Sequence, residues 1–149
     1  MRGVWLLIHI VGFTLWLGGG IATMIAGITA KRFAPAERLA AYRVMGAIFR
    51  IVVAPGVIGV VVAGFMLSMP YMKTDVPGWL GLMMGAGLLG ALIALFVVVP
   101  TAAQLGRLEL DARGELPEGF QRLRKRQIVS ASIAGGLGIV ALIAATVLR

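Results

Sequence analysis

The chain has 149 residues, of which 60% are hydrophobic and 13% are charged. Soluble domains carry about 25% charged residues, so this composition excludes a soluble globular protein and indicates one integral membrane domain, residues 1–149. The formal net charge is +8. Because the basic residues fall between apolar stretches, they indicate membrane topology and contacts with anionic lipid headgroups rather than nucleic-acid binding. The lack of cysteine excludes disulfides and thiolate metal sites.

The first apolar stretch, residues 3–30, has 28 residues and one ionisable side chain, His9. About 20 apolar residues cross a hydrocarbon core of roughly 30 Å, so this stretch is predicted to be a transmembrane helix. A cleaved signal peptide has an apolar region of only about 7–15 residues, and we expect this longer one to be retained. One helical face combines polar, aromatic and small residues typical of a contact surface: His9, Phe13, Trp16, Gly20, Thr23 and Gly27.

A basic segment that starts near Pro35 follows, and it is predicted to be an interfacial helix leading into the second span. The second span covers residues 51–69 and contains Pro55, which should bend it near its basic end. Arg50 lies at the boundary of this span. We interpret it as an interface anchor whose long side chain reaches the headgroups, the alternative being a buried functional charge.

A turn rich in Pro and Gly precedes the third span, residues 79–105, which carries Pro100. The fourth span covers residues 127–148 and follows a long polar connection. Its predicted packing face consists of small and hydroxyl-bearing residues: Ser130, Ser132, Gly135, Gly136 and Gly138. Four spans with these connections predict an all-α, up-and-down, four-helix transmembrane bundle.

The basic residues divide unequally between the two sides of this bundle. The side with three has Arg2, Lys73 and Arg149, and the side with eleven has Lys31, Arg32, Arg38, Arg43, Arg50, Arg107, Arg113, Arg122, Arg124, Lys125 and Arg126. The positive-inside rule therefore predicts that both termini face outward and that the two basic connections face the cytoplasm.

His9 is the leading candidate functional residue, because ionisable side chains within spans are rare and usually face the bundle or a cavity. At a rise of 1.5 Å per residue, Met66 and Met83 fall near its depth, and Met69 and Met72 continue an M-x-x-M-x-x-M run from Met66 toward the surface. Imidazole and thioether suit Cu(I), and a His/Met pair can also ligate haem. The sequence thus predicts a haem or copper site at these five residues.

Packing alone is the competing interpretation. Methionine often fills gaps in apolar cores, and a histidine in a membrane helix can hold two helices in register through a hydroxyl or a carbonyl. The predicted spans contain no Asp or Glu, so no carboxylate proton relay is visible. One histidine cannot give bis-histidine haem ligation within one chain, whereas a symmetric homo-oligomer would bring copies of His9 together. Whether the protein is an enzyme stays open.

The order of these features resembles the small four-helix bacterial membrane proteins related to copper-resistance protein D and the J-type protoporphyrinogen oxidase. The resemblance rests on WLLIHIVGFTLWLGGG around His9, on the Ala54-Pro55-Gly56 step and on the hydrophobic pattern of nearly the whole chain. It matches His9 to an early histidine that the oxidase branch ties to haem or porphyrin. The oxidase branch has a basic residue early in its third helix, where this chain has GWLGLMMG, so the match is closest to members without an assigned function.

The resemblance implies a multi-pass protein of the bacterial inner membrane. With the residues above, it leads us to expect a protein that binds haem or copper in the outer leaflet through His9, in an accessory or redox role. The alternative is a structural or assembly subunit, or an oligomeric transport pore, without a cofactor.

Overall fold

A computed structural model describes residues 2–73 and 76–148. Most of these residues form four long helices: α1, Arg2–Arg32; α2, Pro35–Ser68; α3, Gly78–Gly106; and α4, Gly119–Thr146. Each helix is long and apolar enough to cross a membrane, and the described ranges contain no strand. At 1.5 Å per residue, α2 is about 51 Å long and exceeds a hydrocarbon core of roughly 30 Å. The predicted all-α, four-helix bundle is confirmed, and the chain is a multi-pass membrane protein.

Successive helices run antiparallel. Gly12 near the start of α1 lies beside Gly56 of α2, whereas Gly27 near the end of α1 lies beside Tyr42, earlier in α2. The same reversal relates α2 to α3 and α3 to α4. The bundle therefore has two ends. The basic end carries the α1–α2 and α3–α4 connections, and the opposite end carries the α2–α3 connection and the start of α1.

Helix α2 joins two segments that the sequence analysis kept apart. It begins at Pro35, which suits the first helical turn because its missing N–H needs no partner there. The carboxylate of Glu37 accepts a hydrogen bond from the backbone N–H of Ala34 at 3.2 Å, which caps this start. The helix then continues without a break to Ser68. The predicted interfacial segment and the second span are thus one helix, and α4 likewise starts at Gly119, eight residues before the predicted span.

Both central helices contain a π-helical segment, Phe49–Val53 in α2 and Ala94–Val98 in α3. Each is followed at the same spacing by a proline, Pro55 or Pro100. Proline lacks an N–H and crowds the preceding turn, and the wider π turn accommodates it while the helix continues. The two helices pack together between these segments and the basic end. Farther toward the opposite end, a groove separates them.

The predicted contact face of α1 is largely confirmed. Trp16 and Thr23 are buried, whereas a Cβ at Gly20 would meet no atom within 4 Å. The close approach to α2 occurs at Gly12 and Gly19, whose added Cβ atoms would overlap atoms of that helix. The remaining predicted positions are half-buried: His9, Phe13 and Gly27.

The predicted packing face of α4 is only partly right. Ser130 and Gly138 are buried, but Ser132 and Gly136 are exposed. A Cβ at Gly135 or Gly136 would meet open space. The small residues were grouped by type, whereas burial follows the helical period, so the buried face of α4 consists of Phe120, Gln127, Ser130, Ala134, Gly138, Ala141 and Ala144.

Candidate functional site

His9 is a half-buried residue of α1 that faces α2. Its Nδ1 lies 3.0 Å from the backbone carbonyl oxygen of Val60. A carbonyl only accepts hydrogen bonds, so Nδ1 carries the proton and donates it. In the neutral imidazole this leaves Nε2 with a lone pair, free to accept a hydrogen bond or to bind a metal. The contact with α2 therefore fixes both the orientation of the ring and its tautomer.

Gly64 makes room for the imidazole ring. A Cβ at this position would lie 3.1 Å from His9 Cε1, which is tighter than ordinary van der Waals contact, and 3.4 Å from His9 Nδ1. Gly64 lies one turn beyond Val60, on the same face of α2. The ring therefore occupies a notch in α2 where the Val60 carbonyl accepts a hydrogen bond from Nδ1–H and Gly64 has no side chain to compete for the space.

A glycine pair one turn away brings the two helices this close. A Cβ at Gly12 would lie 2.6 Å from the carbonyl oxygen of Gly56, and a Cβ at Gly56 would lie 2.8 Å from the carbonyl oxygen of Gly12. Only glycine permits this mutual approach of two backbones, as in other small-residue contacts between membrane helices. Because His9 precedes Gly12 by three residues, the crossing also determines where the imidazole meets α2.

Two aromatic residues of α1 follow His9 in the direction of the basic end. Phe13 and Trp16 form an edge-to-face pair with centroids 6.2 Å apart and planes at 76°. The Trp16 side chain is buried and reaches α3 and α4, where its Cη2 would lie 3.2 Å from a Cβ at Gly90 and 3.8 Å from one at Gly138. Trp16 thus fills the centre of the bundle and separates the His9 notch from the basic end.

The methionines of the predicted site lie near the same end of the bundle but on other surfaces. Met66, Met69 and Met72 are exposed, and Met83 on α3 is half-buried. At about 100° per residue, Met66 lies roughly 200° and Met69 roughly 140° around α2 from Gly64, which faces His9. The structure therefore brings His9 together with the backbone of α2, while the thioethers of α2 point away from the notch. Their role as ligands stays a prediction.

Chemically, the notch provides one oriented imidazole nitrogen. In residues 2–73 and 76–148, no group of three or more His, Asp or Glu side chains could hold a metal ion. A cofactor at His9 would therefore need further ligands from methionines, from a second copy of the chain or from the cofactor itself, as a porphyrin supplies for haem iron.

A second polar site, which the sequence analysis did not identify, lies at the basic end. The Arg124 Nε–H donates to the Tyr42 hydroxyl at 3.0 Å, and the rings of Tyr42 and Phe120 meet edge to face with centroids 5.2 Å apart. Gln127 is buried, and its amide has no hydrogen-bond partner among the protein groups described. A cavity of about 20 Å³ beside it is also lined by Tyr42 and Gly46.

The sequence carries a signal for the partners of His9 in the second helix. Gly56, Val60 and Gly64 recur every four residues and so form one stripe of the second helix. Small residues that recur along one stripe of a membrane helix indicate a site of close helix contact. Nothing comparable identifies Gln127, because a glutamine at the start of an apolar run is typical of an interfacial residue.

Comparisons with protein-family models, with curated proteins and with solved structures found no match. The resemblance to the group of copper-resistance protein D and the J-type oxidase stays a prediction. The fold and the site define the class: a multi-pass, four-helix membrane protein in which one intramembrane histidine is held by a backbone carbonyl of the neighbouring helix.

Proposed function

We propose that this protein binds haem or copper through Nε2 of His9, in an accessory or redox role in the inner membrane of a bacterium. The hydrogen bond from His9 Nδ1 to the Val60 carbonyl supports this proposal most directly. Histidines that bind metals usually donate their other ring N–H to a carbonyl or carboxylate, which fixes the tautomer and makes the free nitrogen a better ligand. The notch supplies this arrangement within a membrane helix.

The methionines are the proposed source of further ligands. Thioether sulfur suits Cu(I), and methionine opposite histidine is a known axial pair for haem. Because Met66, Met69 and Met72 lie on exposed positions near the end of the bundle that carries His9, they would complete a site most readily in a homo-oligomer. Met83, which is half-buried on α3, is the candidate within the same chain.

The proposed orientation places both termini outside and the basic end in the cytoplasm. The eleven basic residues of that end support it through the positive-inside rule. They would also contact the anionic headgroups of the cytoplasmic leaflet. His9 would then lie in the outer leaflet.

A structural or assembly subunit, or an oligomeric pore without a cofactor, is the second candidate. It is favoured by the same contact, because a hydrogen bond from His9 to α2 beside the Gly12–Gly56 crossing would by itself fix the register of two helices. The two candidate functions differ in the role of Nε2 of His9. Binding of haem or copper requires Nε2, whereas a contact that fixes the register of α1 and α2 requires only Nδ1.

Two substitutions separate these roles. His9→Asn keeps a side-chain N–H that can reach the Val60 carbonyl and removes the metal-binding nitrogen, whereas His9→Ala removes both. Protein purified from cells supplied with haem and copper should show a Soret band or bound copper, and both variants should lose it. Absence of haem and copper from the unsubstituted protein would reject the cofactor proposal. The structural role predicts instead that His9→Ala lowers thermal stability in detergent and that His9→Asn largely preserves it.

A further inference from the structure

An apolar groove of about 130 Å³ lies between α2 and α3. It opens on the outside of the bundle, and four of its residues remain largely exposed: Ile58, Val62, Leu88 and Leu92. The groove lies on the side of the π-helical segments where the two helices have fewer contacts than they have toward the basic end. Its lining is suited to a hydrocarbon chain.

Cationic side chains lie along the same seam, nearer the basic end. Arg43 and Arg50 are exposed residues of α2, and their spacing of seven residues places them on one face, two turns apart. Arg107 follows Gly106 of α3, where a Cβ would lie 3.4 Å from the Cα of Arg43. The structure shows no hydrogen bond or ion pair of these three arginine side chains with the residues it describes. The nearest acidic residue in sequence, Glu109, is exposed.

The π-helical segment aligns the arginines with the groove. In a regular α-helix two turns take about seven residues, so Arg50 would share a face with Val57, which is fully buried. The wider turn at Phe49–Val53 adds about one residue. Arg50 therefore shares a face with Ile58 of the groove.

The distances along α2 match one leaflet of a bilayer. Arg50 precedes Ser68, the last residue of α2, by 18 residues, or about 27 Å, so it reaches the headgroup boundary when the opposite end of α2 lies at the other boundary. Ile58 and Val62 lie about 12 and 18 Å beyond Arg50 along the helix. Half of a hydrocarbon core of roughly 30 Å is about 15 Å, so the groove lies where the tails of that leaflet end.

From this arrangement we infer that the α2–α3 seam binds one anionic phospholipid from the leaflet at the basic end. Its phosphate contacts Arg50 and Arg43, and the end of one tail lies in the groove. Arginine donates paired hydrogen bonds to phosphate oxygens, and a negative charge at this seam neutralises side chains that lack a protein partner. This inference does not depend on the role of His9.

The test uses the lack of cysteine in the chain, which allows one fluorescent label at a chosen position. Leu89→Cys places the label beside the groove. Ile139→Cys is a matched control on α4, because Gly87 lies beside Ala141 and the two sites therefore have similar depth. The full chain is reconstituted in phosphatidylcholine bilayers with increasing brominated-tail phosphatidylglycerol, and quenching is recorded.

Quenching at Leu89→Cys should saturate at a several-fold lower fraction of brominated phosphatidylglycerol than quenching at Ile139→Cys. In the Leu89→Cys background, Arg50→Gln should raise the half-saturating fraction about fivefold, and Arg43→Gln should add to this effect. The charge-matched pair Arg122→Gln and Lys125→Gln on α4 should leave the half-saturating fraction at Leu89→Cys unchanged.

Three results would overturn the inference. Identical quenching curves at the two labelled positions would show that the groove selects no lipid. An equal effect of the α4 substitutions would show that only the total charge matters. Equally early saturation by brominated phosphatidylcholine would show an apolar contact without headgroup recognition. Circular dichroism of each variant ensures that the compared proteins are folded, and Arg50→Gln alone alters just one exposed side chain.

Discussion

The two ends of the bundle bury a polar side chain in different ways. At the end opposite to the basic end, His9 of α1 donates a hydrogen bond to a carbonyl of α2 in a notch made by Gly64. At the basic end, the Gln127 amide lies beside a small cavity and has no protein partner, although Tyr42 and Arg124 form a hydrogen bond nearby. The Gly12–Gly56 crossing places a backbone acceptor within reach of His9. Two backbones also approach closely beside Gln127, where a Cβ at Gly46 would lie 3.0 Å from the Ala102 carbonyl oxygen, yet no described group pairs with the Gln127 amide. Close approach of two helices therefore satisfies the polar side chain at one end of the bundle and not at the other.

Of the substitutions that test this comparison of the two ends, Gly12→Ala should change the free energy of unfolding most. The added Cβ would lie 2.6 Å from a carbonyl oxygen of α2, and a backbone atom cannot move aside as a flexible side chain does. We expect a loss of about 3 kcal/mol in the free energy of unfolding, measured by denaturant titration in detergent. Gly18→Ala is the control, because its Cβ would meet open space, and it should be neutral or stabilising by up to about 1 kcal/mol. Equal changes in the free energy of unfolding for Gly12→Ala and Gly18→Ala would contradict the close crossing of α1 and α2 at Gly12.

Gln127→Met should stabilise the basic end. Methionine has a similar length and removes a buried amide that has no protein partner, and burial of such a group costs about 1–3 kcal/mol. We expect a gain of about 1–2 kcal/mol in the same titration. The exposed Gln121, on the same helix, provides the control Gln121→Met, which should change little. A clear loss of stability in Gln127→Met would show that the amide is hydrogen-bonded in the membrane protein.

Tyr42→Phe should have the smallest effect. It keeps the edge-to-face contact with Phe120 and removes the hydroxyl that accepts from Arg124. The expected loss is about 1 kcal/mol, the usual net value of one hydrogen bond. A double-mutant cycle with Arg124→Met isolates the pair, and a coupling energy near zero would show that the hydrogen bond adds nothing to stability.

The sequence predicted the third span closely, residues 79–105 against Gly78–Gly106, because hydropathy alone marks both of its ends. It predicted a helix that starts near Pro35 but separated it from the second span, and it predicted the start of the fourth helix too late. The polar segments that begin at Pro35 and Gly119 are helical, since helix formation needs only backbone hydrogen bonds and a suitable first turn, whereas the hydropathy pattern reports burial in lipid.

For the candidate site, the sequence identified His9 as the ionisable residue within a span but not its neighbours. It grouped His9 with Met66 by depth along the helices and added Met69 from the run of methionines that leads to the surface. Depth follows from residue number, whereas facing depends on helix rotation and on the extra residue of a π turn. The packing of α1 on α2 turned those methionines away from the notch and turned Val60 and Gly64 toward it.

The sequence by itself determined the class of the protein, because transfer of apolar residues into lipid is favourable residue by residue and needs no knowledge of contacts. It determined the four helices, the basic end and the choice of His9 for the same reason. Only the tertiary structure decided that His9 donates through Nδ1 and that Gly12 and Gly56 permit this contact. These features depend on how two helices are rotated and spaced against each other, which is a property of the pair.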